Sequence, residues 1–366
     1  MKAANPITDD YSGIRACVSV NTAVAARVGT HRISYQPGRD RKVLQLYVDG
    51  KPVELPRRGL ELDGHRLTVE DVDGGGTAVR VDYTDHTVLI ITPYFWTSYG
   101  GVWLLNVSVA HTPANQGVMG RIPPGSWLPA LPNGSTVGPM PGILHDRWVT
   151  LYRTFADAWR VTNSTSLFVY DSTTSTTTFT DRDWPSEGLP CKLLPQFEIP
   201  GAAVLQGMPI ERAEQVCRRI THEGLHMDCV FDVATTGDEV FALGARLAQD
   251  IRERGSAVSI AADKPRSKPG QTVVLTAIVT NLYAGAPRPR GSVTFYVDDV
   301  ATGPPVDIDD RGRASTTIRD LQPGDHRFRA VYDGGMRGCC ALGWLAPFRQ
   351  RPHKSSSSPT VTHVVM

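Results

Sequence analysis

The run KPGQTVVLTAIVT at 268–280 decides the fold of the C-terminal third. Pro269-Gly270 is turn chemistry, and Val273 to Val279 is an apolar, β-branched stretch too short for a buried helix but of ordinary length for a strand. The same unit recurs on either side: Val258-Ser-Ile260, Val293-Thr-Phe-Tyr-Val297, Ala314-Ser-Thr-Thr-Ile318, His326-Arg-Phe-Arg-Ala-Val-Tyr332 and, after the Ser355–Ser358 run, Val361-Thr-His-Val-Val365. About a hundred residues of short strands parted by turn signals is the pattern of one β-sandwich, expected here over 256–366.

Working back from this segment, two helices are expected. Pro209 suits a first helical turn, and Ile210, Ala213, Val216, Cys217 and Ile220 share one face at helical spacing. This helix is expected to end near Gly224. Thr236 and Glu239 read as a capping box, with Val240, Leu243, Leu247 and Ile251 as the apolar stripe and Gly255 as the stop. The boundary before the sandwich therefore falls near 253–257. From Val43 to Ala110 strands return, with Asp49-Gly50 as a hairpin signal and Gly74-Gly-Gly76 as another turn. Residues 117–147 are too broken by Pro and Gly for regular elements and read as a long loop.

Composition narrows the function. The chain has 366 residues, 41% hydrophobic and 20% charged, enough for two or three cores. A formal net charge of +1 supplies no field for nucleic acid or an anionic membrane surface. No apolar run reaches the ~18 residues of a membrane helix. The first residues show no secretory signal, so either the protein is not exported or Met1 lies within a longer precursor. Six cysteines, at 17, 191, 217, 229, 339 and 340, show no paired spacing for zinc and are too few for a disulfide scaffold.

Two families are recognisable in these residues. The stretches GVMGRIPPGSWLPALPNGSTVG (117–138), LYRTFADAWRVTNSTSLFVYD (151–171) and STTTFTDRDWP (175–185) resemble the C-terminal half of a von Willebrand factor type D domain. The family's usual Gly-Asp-Pro-His type opening is absent. Residues 213–241 resemble the Cys-containing segment that trails such domains. KPGQTVVLTAIVT, PRGSVTFYVDD, GRASTTI, LQPGDHRFRAVYDG and SSSSPTVTHVV are similar to bacterial Ig-like repeats, interrupted by an unusual segment at 336–353. The resemblances imply a mainly β chain: 1–185 a type D-like β-sandwich module, 186–255 a two-helix, Cys-containing appendix, and 256–366 an Ig-like β-sandwich.

Several residues invite chemistry. His222-Glu223-Gly224-Leu225-His226 fits the HExxH zinc-peptidase pattern, in which two histidines one helical turn apart hold the metal and the glutamate polarises water; Asp232 stands where a third ligand could. Gly224 inside the motif disfavours a helix by about 1 kcal/mol relative to Ala, so the two imidazoles are expected to diverge or face solvent, and no metal or cofactor is expected. The type D family often binds calcium after its Gly-x-x-Gly motif, but Arg121, Ile122 and Trp127 here replace oxygen donors. Asp181, Asp183, Asp309 and Asp310 read as turn residues. Cys217 and Cys229 form either a disulfide in an oxidising compartment or two buried thiols, and the resemblance favours the disulfide; Cys339 and Cys340 receive no role. Asn106, Asn133 and Asn163 head glycosylation sequons, and Ser172–Thr180 reads as a polar edge strand. No Gly-x-Ser-x-Gly elbow is present.

The functional expectation is a non-catalytic extracellular or cell-surface adhesion or interaction module of a bacterial protein, with an unidentified protein or surface ligand, no nucleic-acid partner and no membrane span. The alternative is a secreted zinc peptidase in which Glu223 is catalytic and His222, His226 and Asp232 hold the metal. An inert fragment of a larger surface protein is a third reading.

Overall fold

The computed structural model describes residues 2–6, 15–19, 21–38, 43–72, 76–97, 102–110, 130–138, 154–155, 158–159, 161–170, 207–334, 354 and 356–366. Most of the type D-like stretch, the Ser172–Thr180 run and the 336–353 segment lie outside these residues. The chain forms two compact units, one of residues 1–27, 31–54 and 91–249, the other of residues 28–30, 55–90 and 250–366. Each gathers segments distant in sequence. The architecture is mainly β, as the strand signals imply.

In the first unit β1 (Lys2–Pro6) pairs antiparallel with β2 (Arg15–Ser19). Then β3 (Val24–Val28), β4 (His31–Pro37), β5 (Leu44–Val48) and β6 (Lys51–Val53) form an antiparallel meander in that order. The β5–β6 turn is the expected Asp49-Gly50 hairpin, with φ of 49° and 80°. Two successive left-handed residues give the turn whose twist matches that of the strands it joins, and Gly50 takes its share without a Cβ penalty.

The second unit begins with β7 (Leu60–Leu62), β8 (His65–Val72) and β9 (Gly76–Asp82), an antiparallel meander. Strand β10 (Val88–Trp96) carries the chain from this unit into the first, where β11 (Val102–Ala110) follows. Three helices come next: α1 (Ile210–Cys217), α2 (Glu223–Thr236) and α3 (Phe241–Arg254). The chain passes from one unit to the other between Gln249 and Asp250, within α3.

The sandwich follows α3 directly. One sheet has the order β12 (Ser256–Ala262), β14 (Val273–Asn281), β18 (Arg313–Ile318). The other runs β13 (Arg266–Ser267), β21 (Val361–Val365), β19 (Gly324–Tyr332), β15 (Ser292–Val297), β16 (Val300–Ala301), with β17 (Val306–Asp307) on β15 and β20 (Ser356–Ser357) on β19. Strand alternation does the work: Val273, Leu275, Ala277 and Val279 are buried on β14, and they meet Val293, Phe295, Phe328, Ala330 and Tyr332 from the facing sheet. Gly312 has φ of 76°, and a Cβ there would collide with the Val279 carbonyl, so only glycine closes this turn.

Two histidines of this unit respond to pH in opposite senses. His326 offers Nε2 to the Gln322 carbonyl at 2.8 Å and Nδ1 to Asp298 at 2.7 Å. Acceptors on both ring nitrogens favour the cation, and the Gln322 carbonyl foremost raises its pKa above 6.5. In His65, burial lowers the pKa below 6.5, and Nδ1 accepts the Thr84 N–H at 3.0 Å. A raised folded pKa gives stability that is complete below the unfolded value and lost as pH rises through the folded one. For a base with a lowered pKa the folded state binds fewer protons, so stability falls as pH drops from 6.5 through the folded value. Denaturant midpoints measured against pH should therefore show the cost of His326→Gln shrinking above pH 6.5, and the advantage of wild type over His65→Gln growing up to it. Parallel profiles for wild type and both variants would reject the assignment.

A disulfide-closed helix pair and the Ig-like sandwich

The local sequence around Cys217 builds a helical hairpin. The Pro209 carbonyl accepts the N–H groups of Arg212 and Ala213, starting α1, and the Cys217 carbonyl accepts Ile220 N–H as the chain leaves it. The Gln249 side chain then takes the N–H groups of Thr221 and His222. Cys217 and Cys229 are bonded, with Cα atoms 6.0 Å apart, so the disulfide staples α1 to α2. Both cysteines are buried in an apolar cluster with Ala213, Ile220 and Val233 that also takes in Trp96 and Leu104 from β10 and β11.

The HEGLH segment opens a helix instead of closing one, which corrects the expected stop at Gly224. His222 is the N-cap of α2, in extended backbone with φ −76° and ψ 117°, and its side chain accepts Leu225 N–H at 3.3 Å. That bond leaves the proton on Nε2. His226 points Nδ1 at the Cys217 carbonyl, 3.3 Å away; a carbonyl only accepts, so here Nδ1 carries the proton. Each imidazole thus commits one nitrogen to a different backbone group. Among the described residues no three His, Cys, Asp or Glu side chains come together as a metal site would require. Glu223 lies in the exposed first turn, where a carboxylate complements the helix dipole.

Asp232, the third ligand under the peptidase alternative, sits one turn beyond Asp228. Burial, then the neighbouring Asp228 charge, push its carboxyl up to about 6. Tyr94 is pushed up to about 12 by its own burial and by Asp232.

The capping box expected at Thr236 and Glu239 is also corrected. Thr236 closes α2, its hydroxyl donating to the Asp232 carbonyl at 2.6 Å, and Gly237 with φ 70° completes the stop. The cap for α3 is Asp238, whose Oδ1 accepts Val240 N–H at 3.0 Å. Its Oδ2 accepts the Trp96 indole N–H at 2.8 Å, tying helix to strand. Glu239 instead pairs with Arg212 at 2.6 Å on the surface.

Other candidates resolve into ordinary structure. Asp309 accepts the N–H groups of Arg311 and Arg313 at 2.8 Å each, as a turn residue does. Asn133 Oδ1 accepts the N–H and hydroxyl of Ser135 in an exposed turn. The loop after Gly120, Asp181 and Asp183 lie outside the described residues.

Residues 260–338 match the family described as bacterial Ig-like domain (group 3), and this is the class the sandwich defines. No curated protein matches the chain. Among solved structures, the CARDB domain of a Pyrococcus furiosus protein, crystallised in complex with di-metal ions, is 17% identical over 30% of this chain and 87% of its own, with a TM-score of 0.20. A polysaccharide lyase is 10% identical, with a TM-score of 0.23; this chain spans 39% of that lyase. At these scores neither likeness defines a common fold.

Proposed function

We propose that the chain is a non-catalytic interaction module of an exported or cell-surface protein, its Ig-like sandwich serving as spacer or contact surface in adhesion. The Ig-like sandwich, matched over 260–338, is the observation that carries this reading. The buried Cys217–Cys229 bond supports an oxidising compartment, where such bonds persist. No helix among the described residues is long and apolar enough to cross a membrane. The type D-like character of residues 1–185 belongs to the same proposal. It rests on the motifs at 117–138, 151–171 and 175–185, and the ligand is a protein or surface component.

The test sets the module against the peptidase. Protein purified from its native host under non-reducing conditions should show no free thiol at Cys217 or Cys229. It should carry no stoichiometric zinc, and in a general peptidase assay wild type and Glu223→Gln should be equally inactive. Cell fractionation should place it outside the cytoplasm. Stoichiometric zinc with proteolysis abolished by Glu223→Gln would overturn the reading in favour of the enzyme, and free thiols in a cytoplasmic fraction would overturn the localisation.

A further inference from the structure

Strands β8 and β9 are in antiparallel register with Arg66 opposite Asp82, Thr68 opposite Arg80 and Glu70 opposite Ala78. Arg66, Glu70, Arg80 and Asp82 therefore share one face of the meander. A half-buried antiparallel ribbon normally gives such a face to water. Here Arg80 is 0% exposed, Asp82 2%, Arg66 6% and Glu70 8%.

At Arg80 the burial is matched by bonding. Arg80 donates Nε and Nη2 to the two oxygens of Asp82 at 2.8 and 2.7 Å, and Nη1 to Glu70 Oε1 at 2.7 Å. Its Nη2 also reaches the carbonyl of Ser256 at 2.6 Å. Ser256 is the first residue of the sandwich, 176 positions away, and its own hydroxyl bonds the Lys354 carbonyl and the Ser356 hydroxyl. Burial opposes the charge on Arg80, but Asp82 and Glu70 outweigh it and hold the guanidinium protonated.

A second set of bonds is independent of this cluster. Thr360, just before the last strand, donates its hydroxyl to Glu61 Oε2 at 2.5 Å and its N–H to the Gly64 carbonyl at 3.2 Å. Both acceptors belong to the β7–β8 hairpin. The meander thus grips the sandwich at its first strand and at the approach to its last.

We propose that residues 55–90 are an integral part of the Ig-like module, fastened by a desolvated ionic clasp centred on Arg80, so that meander and sandwich open as one cooperative unit. The reason is energetic. Charges withdrawn from water are tolerated only while their partners stay in place, and removing one partner strands the others. Separating the meander from β12 would leave Arg80, Glu70 and Asp82 facing a void or water they are not arranged to meet, and would open the Ser256 carbonyl with them. The module is therefore discontinuous in sequence, its parts brought together across the first unit's segment.

Native-state hydrogen exchange of the full chain under rising denaturant tests this. Amides of β8–β9 and of β12–β14 should merge into one opening isotherm in wild type. Arg80→Met should raise exchange in both sets by the same factor, on the order of 10²–10³. Thr360→Val, which keeps the Thr360 N–H but removes the hydroxyl bond, should raise both by about tenfold. The wild-type isotherms decide the matter even if Arg80→Met fails to fold. A separate, easier opening of β8–β9 with β12–β14 still protected would overturn the proposal. So would an Arg80→Met effect confined to residues 65–82.

Discussion

Trp96→Ala is expected to destabilise the first unit by about 3–5 kcal/mol, the range for deleting a buried tryptophan or phenylalanine side chain. Trp96 is 2% exposed. Its ring meets Phe241 edge-on, centroids 5.1 Å apart, and it belongs to the cluster in which α1, α2 and the start of α3 bury their apolar faces. Its indole N–H satisfies Asp238, the same residue that caps α3. Truncation removes the packing and leaves Asp238 Oδ2 without this donor, so two costs arise from one substitution. Trp96→Phe keeps most of the apolar volume and loses the hydrogen bond to Asp238, and should cost about 1–3 kcal/mol. Denaturant unfolding followed by helical circular dichroism separates the two. The disulfide survives in both variants, so a covalent staple cannot mask the difference. A loss below about 1 kcal/mol for Trp96→Ala would show that the helices do not depend on the strand they cover.

How much of this was legible follows from what each residue says about its neighbours. The sandwich strands carry period-two burial, so β12, β14, β15, β18, β19 and β21 stand where the sequence places strands. The Asp49-Gly50 turn was readable because its conformation is local. Helix α2 was not. Gly224 read as a stop, and the stripe of Leu225, Cys229, Val233 and Thr236 on one face was hidden inside a Cys-containing segment resembling a known trailing element. What starts the helix is His222 acting as a cap, a role that Ser, Thr, Asp and Asn fill more often. Thr236 and Glu239 fit the spacing of a capping box, yet Asp238 takes the role because Gly237 ends α2 right after Thr236 and leaves Thr236 on the far side of the break.

The site was less legible still. A regular expression finds His222, Glu223 and His226, but whether two imidazoles converge depends on where a helix begins, and with His222 at the cap one meets the Leu225 N–H and the other the Cys217 carbonyl. The Arg80 cluster gave no signal, because Glu70, Arg80 and Asp82 sit at the polar positions of alternating strands, which ordinarily face solvent. Their burial is a tertiary fact, created by residues more than 170 positions later. Buried Ser356, Ser357 and Ser358 are a smaller case. A serine run carries no apolar signal of burial, whereas here Ser356 bonds Ser256 and Ser358 accepts Ala330 N–H at 2.9 Å.

Phe328→Ala should cost the second unit about 3–5 kcal/mol. Phe328 is 0% exposed at the middle of β19, paired with Val297 on one side and Val361 on the other. Its ring stacks on His363, centroids 5.1 Å apart. His363 is itself fully buried, with Nε2 2.9 Å from the Ser267 hydroxyl and Nδ1 3.1 Å from the Lys264 carbonyl. The imidazole is thus fixed by two polar partners and one aromatic face. Removing the face opens a cavity beside a buried polar ring, which cannot collapse into the gap without breaking those bonds. Phe328→Leu, closer in volume, should cost less than about 1.5 kcal/mol if the neighbours repack. Chemical denaturation gives both values, and exchange at β13 and β21 should rise with the alanine variant because Ser267 and His363 join those strands. The decisive readout lies farther away. Among the described residues the core cluster that holds Phe328 includes none from the meander, so if meander and sandwich open together, β8–β9 amides must lose protection by the same factor as β19. If they keep it, the sandwich unfolds alone and the clasp at Arg80 is a local contact only.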